Sequence, residues 1–381
     1  MRVLMFANPL LGHLLPMFPL ARALRQQGHT VAFATARHLE STVEPHGFAL
    51  ISAGPTTETV VAEVTRHLGA DWLRSRSPDG AAEFFAGARI DLGADEALAG
   101  ARAWAPDVIV SEHCDFVGPL VAAALKIPSV AMAIDPTLEP ELLTALAATA
   151  HRRYLERGLE PPAHAPCGQW LLDLCPPSLQ RDGELPALHR LALRPEPHQA
   201  PEGAPRAPRA TLSGRPRVLV SFSTAMNAPE RLGSVLRSLS TLDVDLVATA
   251  SGGMPIDSTG LDPDRVELVT FLPAAELLDG VSVVVHHGGS GTTFGAAARG
   301  IPAAVVPGMP GQRRQAARLE AAGAGLALPM GEETTPEAVT AAVGRLLAET
   351  TFTTAAHRLR DEIAAMPSAA EVADHLVASV V

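Results

Sequence analysis

The sequence has few of the features that mark exported, metal-binding or nucleic-acid-binding proteins. Its three cysteines, an odd number without CxxC spacing, predict neither a disulfide framework nor a zinc site. Lysine occurs once, at Lys126, and no run of basic residues offsets the net charge of −11. Because such a surface repels a phosphate backbone, we expect no nucleic-acid partner.

Long hydrophobic runs are missing as well. A membrane-spanning helix needs roughly 20 consecutive apolar residues, and no segment approaches that length. The apolar start of the chain is interrupted at Asn8-Pro9, which is too early for a signal peptide. We therefore expect a protein that has no membrane span and stays in the cytoplasm.

The sequence does contain an alternation of short apolar runs and helix-length segments. Of the 381 residues, 47% are hydrophobic and 19% are charged, which is typical of a folded chain of two or three domains. Continuous apolar runs separated by helices predict an α/β fold with parallel sheets. The predicted strands are 2–7, 30–35, 48–52, 108–111 and 129–134, then 217–222, 246–250, 266–270, 281–286 and 303–307.

A proline-rich segment, residues 194–209, separates the two series of strands. It has no apolar period and predicts a linker. We place the boundary near residue 205, which gives an N-terminal domain over 1–205 and a C-terminal domain over 206–381. Past residue 335 the pattern is helical, and we expect these last helices to pack back across both halves.

The sharpest local signal is VVVHHGGSGTTFG, which begins at residue 283. The valines predict a buried strand, and Gly288, Gly289 and Gly291 allow a tight turn and close approach to a ligand. The helix that follows presents unpaired N–H groups at the positive end of its dipole, which suits a diphosphate. Three residues add hydroxyl donors: Ser290, Thr292 and Thr293. The alternative is a glycine-rich turn with no ligand.

Other ligand motifs fit this region less well. Phe294 stands where a Rossmann fingerprint has its third glycine, and no lysine follows as in a P-loop. Neighbouring residues of an extended strand point to opposite sides, so we do not expect His286 and His287 to share a metal ion. Two acidic pairs are interpreted as structural rather than as a Mg²⁺ clamp: Asp243/Asp245 and Asp262/Asp264.

A second candidate site follows the first predicted strand, at the sheet edge where α/β proteins bind ligands. Gly12 relaxes the backbone beside His13, which is a candidate general base. The strand that ends at Ser111 leaves Glu112 and Asp115 at the same edge. Either carboxylate could fix the tautomer of His13 and stabilise its imidazolium. The alternative for His13 is an ordinary surface histidine.

Five motifs in order along the chain resemble those of family 1 glycosyltransferases with the GT-B fold, in particular the bacterial enzymes that glycosylate polyketides and other natural products. They are GHLLP from Gly12, PDVIVSE at 106–112, FLPAAELL at 271–278, HHGGSGT at 286–292 and GIP at 300–302. The resemblance covers nearly the whole chain. It implies two Rossmann-like domains that face each other across a cleft, with the acceptor in the N-terminal half and the nucleotide-sugar in the C-terminal half.

The resemblance also implies residue roles. His13 would remove a proton from the acceptor hydroxyl, with Glu112 or else Asp115 orienting it. Phe271 stands where the family usually has a tryptophan beside the nucleobase, and a ring is kept. The implied donor-binding residues are Ser223, Thr224, Phe271, His287, Gly289, Ser290, Gly291, Thr292 and Gln312.

Two departures from the family pattern bear on the donor. The SxGT turn reads Ser221-Phe222-Ser223-Thr224, which loses a glycine and keeps the hydroxyls. The family's Asp-Gln pair reads Gly311-Gln312 in this sequence. In the family that aspartate holds hydroxyl groups of the donor sugar, so its loss removes an anchor for a fully hydroxylated hexose. We therefore expect a deoxyhexose in the donor. Together with the resemblance, this gives a dTDP-linked donor, inversion at the anomeric carbon, and no metal or cofactor as expectations.

Aromatic residues in segment 55–104 predict an acceptor-binding region. With the loop glycine, the predicted acceptor-binding residues are Gly12, Trp72, Phe84 and Phe85; the alternative for the three rings is core packing. Two other functions fit the same fold: a nucleotide-sugar epimerase or hydrolase, and an inactive donor-binding or helper subunit. A homodimer and a separate activating protein are both compatible with the sequence.

Overall fold

The protein consists of two α/β units. The computed structural model describes residues 1–161, 170–180, 189–205, 214–222, 229–249, 257–270 and 272–380. The N-terminal unit comprises Met1–Cys175, Arg181–Arg194 and Pro367–Val381, and the C-terminal unit comprises Pro176–Gln180 and Pro195–Met366.

The N-terminal unit is built on a seven-stranded sheet with the order β3-β2-β1-β4-β5-β6-β7, in which all neighbours are parallel. The order reverses between β1 and β4, and ligands of such sheets bind outside the carboxyl ends at this switch point. The strands are β1 Arg2–Phe6, β2 Thr30–Thr35, β3 Ala49–Ser52, β4 Val108–Glu112, β5 Ser129–Ala133, β6 Trp170–Asp173 and β7 His189–Ala192.

Helices cover this sheet because its strands are apolar on both faces; Val3 to Phe6 of β1, for example, are fully buried. A π-helix over Glu83–Ala88 connects α6 to α7. Gly28, at φ +84°, follows the end of α2 as a left-handed residue that stops the helix. The helices are α1 Leu11–Leu14, α2 Phe18–Gln26, α3 Glu40–Val43, α4 Thr57–Leu68, α5 Trp72–Ser75, α6 Pro78–Ala82, α7 Arg89–Trp104, α8 Val117–Leu125 and α9 Pro140–Glu156.

The C-terminal unit contains a six-stranded parallel sheet with the order β10-β9-β8-β11-β12-β13. Its switch point lies between β8 and β11. The strands are β8 Arg217–Ser221, β9 Asp245–Thr249, β10 Val266–Val269, β11 Val281–His286, β12 Ala303–Val305 and β13 Gly325–Ala327. The helices are α10 Pro229–Leu239, α11 Ala274–Leu277, α12 Ser290–Ala298, α13 Pro310–Ala321, α14 Pro336–Ala348 and α15 Thr350–Ala364, with α16 Ala369–Val380 in the N-terminal unit.

The predicted α/β class with two parallel sheets is confirmed, and each of the ten predicted strands lies within one or two residues of a strand in the structure. Three strands were not predicted, namely β6, β7 and β13. Strand β13 has only three residues, and β6 ends in the buried Asp173. Neither β13 nor β6 therefore has a long apolar run.

The division between the units differs from the boundary expected near residue 205. Residues 195–205 belong to the C-terminal unit, and α16 belongs to the N-terminal unit. The Arg194 N–H donates to the Pro367 carbonyl at 2.8 Å, and Gln27 Nε2 donates to the Ala370 carbonyl at 3.0 Å. These bonds join the start of α16 to the first unit, whereas α14 and α15 lie in the second. No helix in the described part of the chain has both the length and the apolar character required to span a bilayer.

Candidate active site

His13 lies at the carboxyl edge of the N-terminal sheet, on the short helix α1 that follows β1. Its Nδ1–H donates to Glu112 Oε1 at 2.9 Å. Glu112 is the last residue of β4, the strand beside β1 across the switch point, and is completely buried. The structure thus brings His13 and Glu112 together at the edge where ligands of α/β sheets bind.

The Glu112 carboxylate is fixed by two further hydrogen bonds. Asn8 Nδ2 donates to Oε1 at 2.5 Å, and the Cys114 N–H donates to Oε2 at 2.8 Å. Because both oxygens accept hydrogen bonds, the carboxylate cannot turn away from His13 without breaking them. The bond to Nδ1 keeps a proton on that nitrogen and leaves Nε2 to act as a base.

Burial and pairing act in opposite directions on the pKa values of this pair. Burial raises the pKa of the Glu112 carboxyl, but the charge and hydrogen bond of His13 outweigh it and lower that pKa to about 2. Burial lowers the pKa of His13, but the charge and hydrogen bond of Glu112 raise it overall above the ordinary 6.5. The pair therefore stabilises the imidazolium that forms when His13 accepts a proton.

Asp115, the alternative partner of His13, lies elsewhere. Its Oδ1 accepts the Gly118 N–H at 2.8 Å, and its Oδ2 is 3.6 Å from Nη2 of the buried Arg89. Burial raises the pKa of Asp115 to about 6 despite the Arg89 charge. Of the two carboxylates that the sequence offered, Glu112 is the one that contacts His13.

The predicted acceptor-binding residues separate into two groups. The Phe85 ring lies 5.6 Å from the His13 ring, and an added Cβ on the exposed Gly12 would meet nothing within 4 Å. Phe84 instead packs with Val60 in a buried cluster, which is the core-packing alternative. The half-buried Trp72 stacks on Phe84, with ring centroids 6.3 Å apart. Only Phe85 and Gly12 therefore adjoin His13.

A potential metal-binding group also occurs at the end of β4. One ligand atom each from Glu112, His113 and Cys114 lies within 4.8 Å of the others, and all three residues are buried. His113 Nδ1 accepts the Ile134 N–H at 3.2 Å, which leaves Nε2 as its remaining ligand atom. Since both Glu112 oxygens already accept hydrogen bonds, a metal ion would have to compete with the His13 contact or the Cys114 contact. This group was not predicted from the sequence.

In the C-terminal unit, β11 leads through a tight turn into α12. Gly288 has φ +90°, a left-handed conformation that favours glycine. A Cβ added to Gly288 would lie only 3.0 Å from the Gln312 carbonyl oxygen, so the absence of a side chain leaves space for that carbonyl. The fully buried His286 accepts the Gly288 N–H on Nδ1 at 3.0 Å, and burial with the nearby His287 lowers its pKa to about 3. His286 therefore stabilises the turn as a neutral ring.

His287 lies beside the start of α12. A Cβ added to Gly289, the residue that precedes the helix, would come within 2.5 Å of His287 Nε2. Burial lowers the pKa of His287 although the Ser221 backbone opposes the change, so the ring is neutral near pH 7. Within the described residues no side chain caps α12, and a helix N-terminus of this kind suits an anion.

Two hydroxyl groups at the start of α12 form hydrogen bonds within the protein. Ser290 Oγ donates to Gln315 Oε1 at 2.9 Å, and Thr293 Oγ1 donates to the Gly289 carbonyl at 2.9 Å. Both hydroxyl protons are therefore used within the protein, because the two side chains are buried against neighbouring elements. The expectation that Ser290 and Thr293 donate to a ligand stays a prediction, and it requires each hydroxyl to leave its present acceptor, while Thr292 is half-exposed.

Gln312 lies in the first turn of α13. Its Oε1 accepts the N–H groups of Gly308 at 2.8 Å and Met309 at 3.0 Å, which leaves Nε2 to donate to a ligand. Gly311 is exposed, and an added Cβ would meet no atom within 4 Å. The remaining predicted donor residues, Ser223, Thr224 and Phe271, lie outside the described residues.

Three residues that contribute to these sites were not predicted. Asn8 was interpreted only as part of a strand break, Arg89 has the sequence context of an ordinary helical residue, and Gln315 follows two arginines on α13. Nothing in the local sequence of Arg89 or Gln315 indicates that the side chain is buried. Asn8 had a usable signal, because it directly follows β1 at the predicted ligand edge.

Comparison with known proteins identifies the family. Residues 22–194 match the N-terminal domain, and residues 233–379 the C-terminal domain, of the Erythromycin biosynthesis protein CIII-like family. The L-demethylnoviosyl transferase of Streptomyces niveus is 32% identical over 99% of this chain and 98% of its own length. The chain belongs to this family of glycosyltransferases. The elloramycin glycosyltransferase ElmGT of Streptomyces olivaceus is 30% identical, over 99% of this chain and 97% of its own.

Solved structures agree over the full length. The spinosyn rhamnosyltransferase SpnG complexed with thymidine diphosphate has a TM-score of 0.79 and 28% identity, and it covers 99% of this chain and 100% of its own. The same enzyme complexed with the spinosyn aglycone has a TM-score of 0.80. The predicted GT-B fold and the predicted glycosyltransferase class are confirmed.

Proposed function

We propose that this glycosyltransferase moves a deoxyhexose from a dTDP-linked donor to a hydrophobic natural-product acceptor, with inversion and without a metal ion or cofactor. The observation that carries the proposal is the His13–Glu112 pair, 2.9 Å apart at the ligand edge of the N-terminal sheet. A histidine whose Nδ1–H is held by a buried carboxylate has its other nitrogen free to take a proton.

In the proposed reaction, His13 Nε2 takes the proton of the acceptor hydroxyl while the acceptor oxygen bonds to the anomeric carbon. The bond from that carbon to the diphosphate oxygen breaks on the opposite face, so the configuration inverts and dTDP leaves. Glu112 stabilises the His13 imidazolium. His287 and the first N–H groups of α12 stabilise the negative charge of the departing diphosphate.

The donor and acceptor classes rest on relatives and on one local feature. The L-demethylnoviosyl transferase and the rhamnosyltransferase complexes with thymidine diphosphate and with an aglycone support a dTDP-sugar and a natural-product acceptor. Gly311 supports a deoxyhexose, because it offers no carboxylate to a fully hydroxylated sugar. The aromatic Phe85 beside His13 supports a hydrophobic acceptor.

The direct test is transfer by the purified chain. We expect incubation with a dTDP-deoxyhexose and a polyketide aglycone to give a glycosylated product by mass spectrometry, and dTDP release to depend on the aglycone. Release without an aglycone would favour a hydrolase or epimerase. If the chain binds dTDP but transfers no sugar, the result would favour a helper subunit or a chain that needs an activating protein.

Metal independence has its own test. We expect turnover to survive dialysis against EDTA, because charge stabilisation is assigned to backbone N–H groups and His287. Loss of activity on chelation, with recovery on adding Zn²⁺ or Mg²⁺, would contradict the proposal. It would direct attention to the Glu112-His113-Cys114 group, which has suitable ligand atoms.

A further inference from the structure

Gln315 is a buried residue to which neither the sequence motifs nor the proposed reaction gives a role. It lies one turn beyond Gln312 on α13 and is 5% exposed. Its carboxamide oxygen accepts the Ser290 hydroxyl at 2.9 Å. Its amide nitrogen is buried and has no hydrogen-bond partner among the described residues. An amide NH₂ group with two unused donors is rare in a folded interior.

The surroundings of this amide nitrogen indicate what would satisfy it. Ser290 is the first residue of α12, so the carboxamide lies at the N-terminal end of this helix and of its dipole. The His287 ring lies beside the same turn, with Nε2 2.5 Å from the place where a Cβ on Gly289 would stand. Donors collected at a helix N-terminus attract an anion with several acceptor oxygens. A nucleoside diphosphate has that chemistry.

The packing of α13 against the turn keeps Gln315 in this position. The turn at Gly288 lies against the Gln312 backbone, and the Gln312 side chain holds the backbone before α13. Residues three apart on a helix share a face, so Gln312 and Gln315 are presented to the same turn. The Ser290 hydroxyl then fixes which end of the Gln315 carboxamide remains free.

We propose that Gln315 is a further donor-binding residue, whose amide nitrogen donates to the diphosphate of the nucleotide-sugar while its oxygen holds Ser290. Ser290 acts through Gln315 and not by donating to the phosphate itself. The proposal rests on the proposed function, because it assumes that the start of α12 binds the diphosphate.

The test compares dTDP with thymidine as ligands of the full chain. Gln315→Glu keeps an oxygen for the Ser290 hydroxyl and replaces the amide donors with a carboxylate. At pH 8 we expect it to weaken dTDP binding at least about tenfold by calorimetry, since a negative charge then adjoins the diphosphate. Thymidine, which lacks phosphate, should bind wild type and variant equally. Relative to wild type at the same pH, part of the loss should disappear at pH 5.5, where a buried carboxyl is protonated and can donate.

Gln315→Met, which removes the donors without adding a charge, keeps the test decisive if the glutamate variant does not fold. It should weaken dTDP binding several-fold, leave thymidine binding unchanged, and show no pH-dependent recovery. Equal losses for dTDP and thymidine would indicate a structural role and overturn the proposal, as would unchanged dTDP binding in both variants. If wild type itself does not bind dTDP, the proposed function fails instead.

Discussion

His13 Nδ1 and Glu112 Oε1 lie 2.9 Å apart although 99 residues separate them in the chain. The contact follows from strand order, because β1 and β4 are parallel neighbours and Phe6 is in register with Ser111. Both residues follow those positions at the carboxyl ends of their strands. The order of the strands, with α1 following β1, therefore brings base and carboxylate together in the absence of substrate.

Removal of the imidazole should affect turnover and not donor binding. We expect His13→Ala to reduce kcat by about 10²–10⁴-fold, the usual contribution of positioned proton transfer. Calorimetry should give the wild-type affinity for dTDP, because the proposed diphosphate site belongs to the C-terminal unit. A variant that loses dTDP binding would instead assign His13 a structural role.

The Glu112 carboxylate should set the pH dependence. His13 accepts a proton only when neutral, so kcat/KM should rise with pH through a pKa that Glu112 holds above 6.5. In Glu112→Gln the charge is lost, so this midpoint should move to lower pH while the maximal rate falls less than in His13→Ala. The double variant should be no slower than His13→Ala alone. An unshifted midpoint, or full additivity, would exclude the dyad.

From the sequence, the positions of site residues could be predicted only where they follow from the ends of strands. Parallel strands end at one edge, so His13, Glu112 and Asp115 could be assigned there without coordinates. The choice between the carboxylates depends on the turn after β4, where the Asp115 side chain is directed to the Gly118 N–H and towards Arg89. Likewise, the spacing of HHGGSGT predicted the glycine-rich turn into α12, but the direction of the Ser290 hydroxyl depends on α13, which begins 20 residues later. Such contacts belong to tertiary packing, which local patterns do not encode.

The buried Arg89–Asp115 pair should be sensitive to loss of one partner. We expect Arg89→Met to lower the free energy of unfolding by about 3–5 kcal/mol, because it leaves a buried carboxylate without its cation. The double variant Arg89→Met/Asp115→Asn should regain much of this in urea unfolding. A double variant as unstable as the sum of the single variants would show that the two side chains do not interact.

The same pair predicts how stability varies with pH. Burial raises the pKa of Asp115 from 3.8 to about 6, so the folded state binds this proton more tightly than the unfolded state does. The contribution of Asp115 to stability is therefore present at low pH and declines as pH rises from about 4 to about 6. Without the Arg89 charge this pKa should rise further, so Arg89→Met should lose more stability than wild type between pH 5 and pH 8. Parallel pH profiles would contradict the assignment.

Close approach at Gly289 makes a prediction for the donor site. A methyl group there would come within 2.5 Å of His287 Nε2, so Gly289→Ala must displace the ring that is proposed to bind the diphosphate. We expect weaker dTDP binding by calorimetry, and Gly289→Val should bind more weakly still. Gly344→Ala is the matched control, since an added Cβ there meets no atom within 4 Å and Gly344 lies in α14. Equal dTDP affinity in all variants would refute the placement of the phosphate at this turn.

Sugar preference should depend on the position before Gln312. A carboxylate that accepts a sugar hydroxyl contributes about 1.5–3 kcal/mol, and Gly311 cannot supply it. Wild type should therefore use dTDP-glucose poorly compared with a dTDP-deoxyhexose that has fewer hydroxyls to satisfy. Gly311→Asp should raise glucosyl transfer relative to deoxyglycosyl transfer.

The backbone and surroundings of Gly311 are compatible with the substitution Gly311→Asp. Gly311 does not have a positive φ, it is exposed, and a Cβ added to it would meet no atom within 4 Å. Gln312 Oε1 stays engaged with the backbone of Gly308 and Met309, so its amide donors should serve either sugar. The measurement is the ratio of kcat/KM for dTDP-glucose to that for a dTDP-deoxyhexose, in both proteins. If wild type already prefers dTDP-glucose, the deoxyhexose assignment is wrong, because the missing carboxylate then costs the hydroxylated sugar nothing.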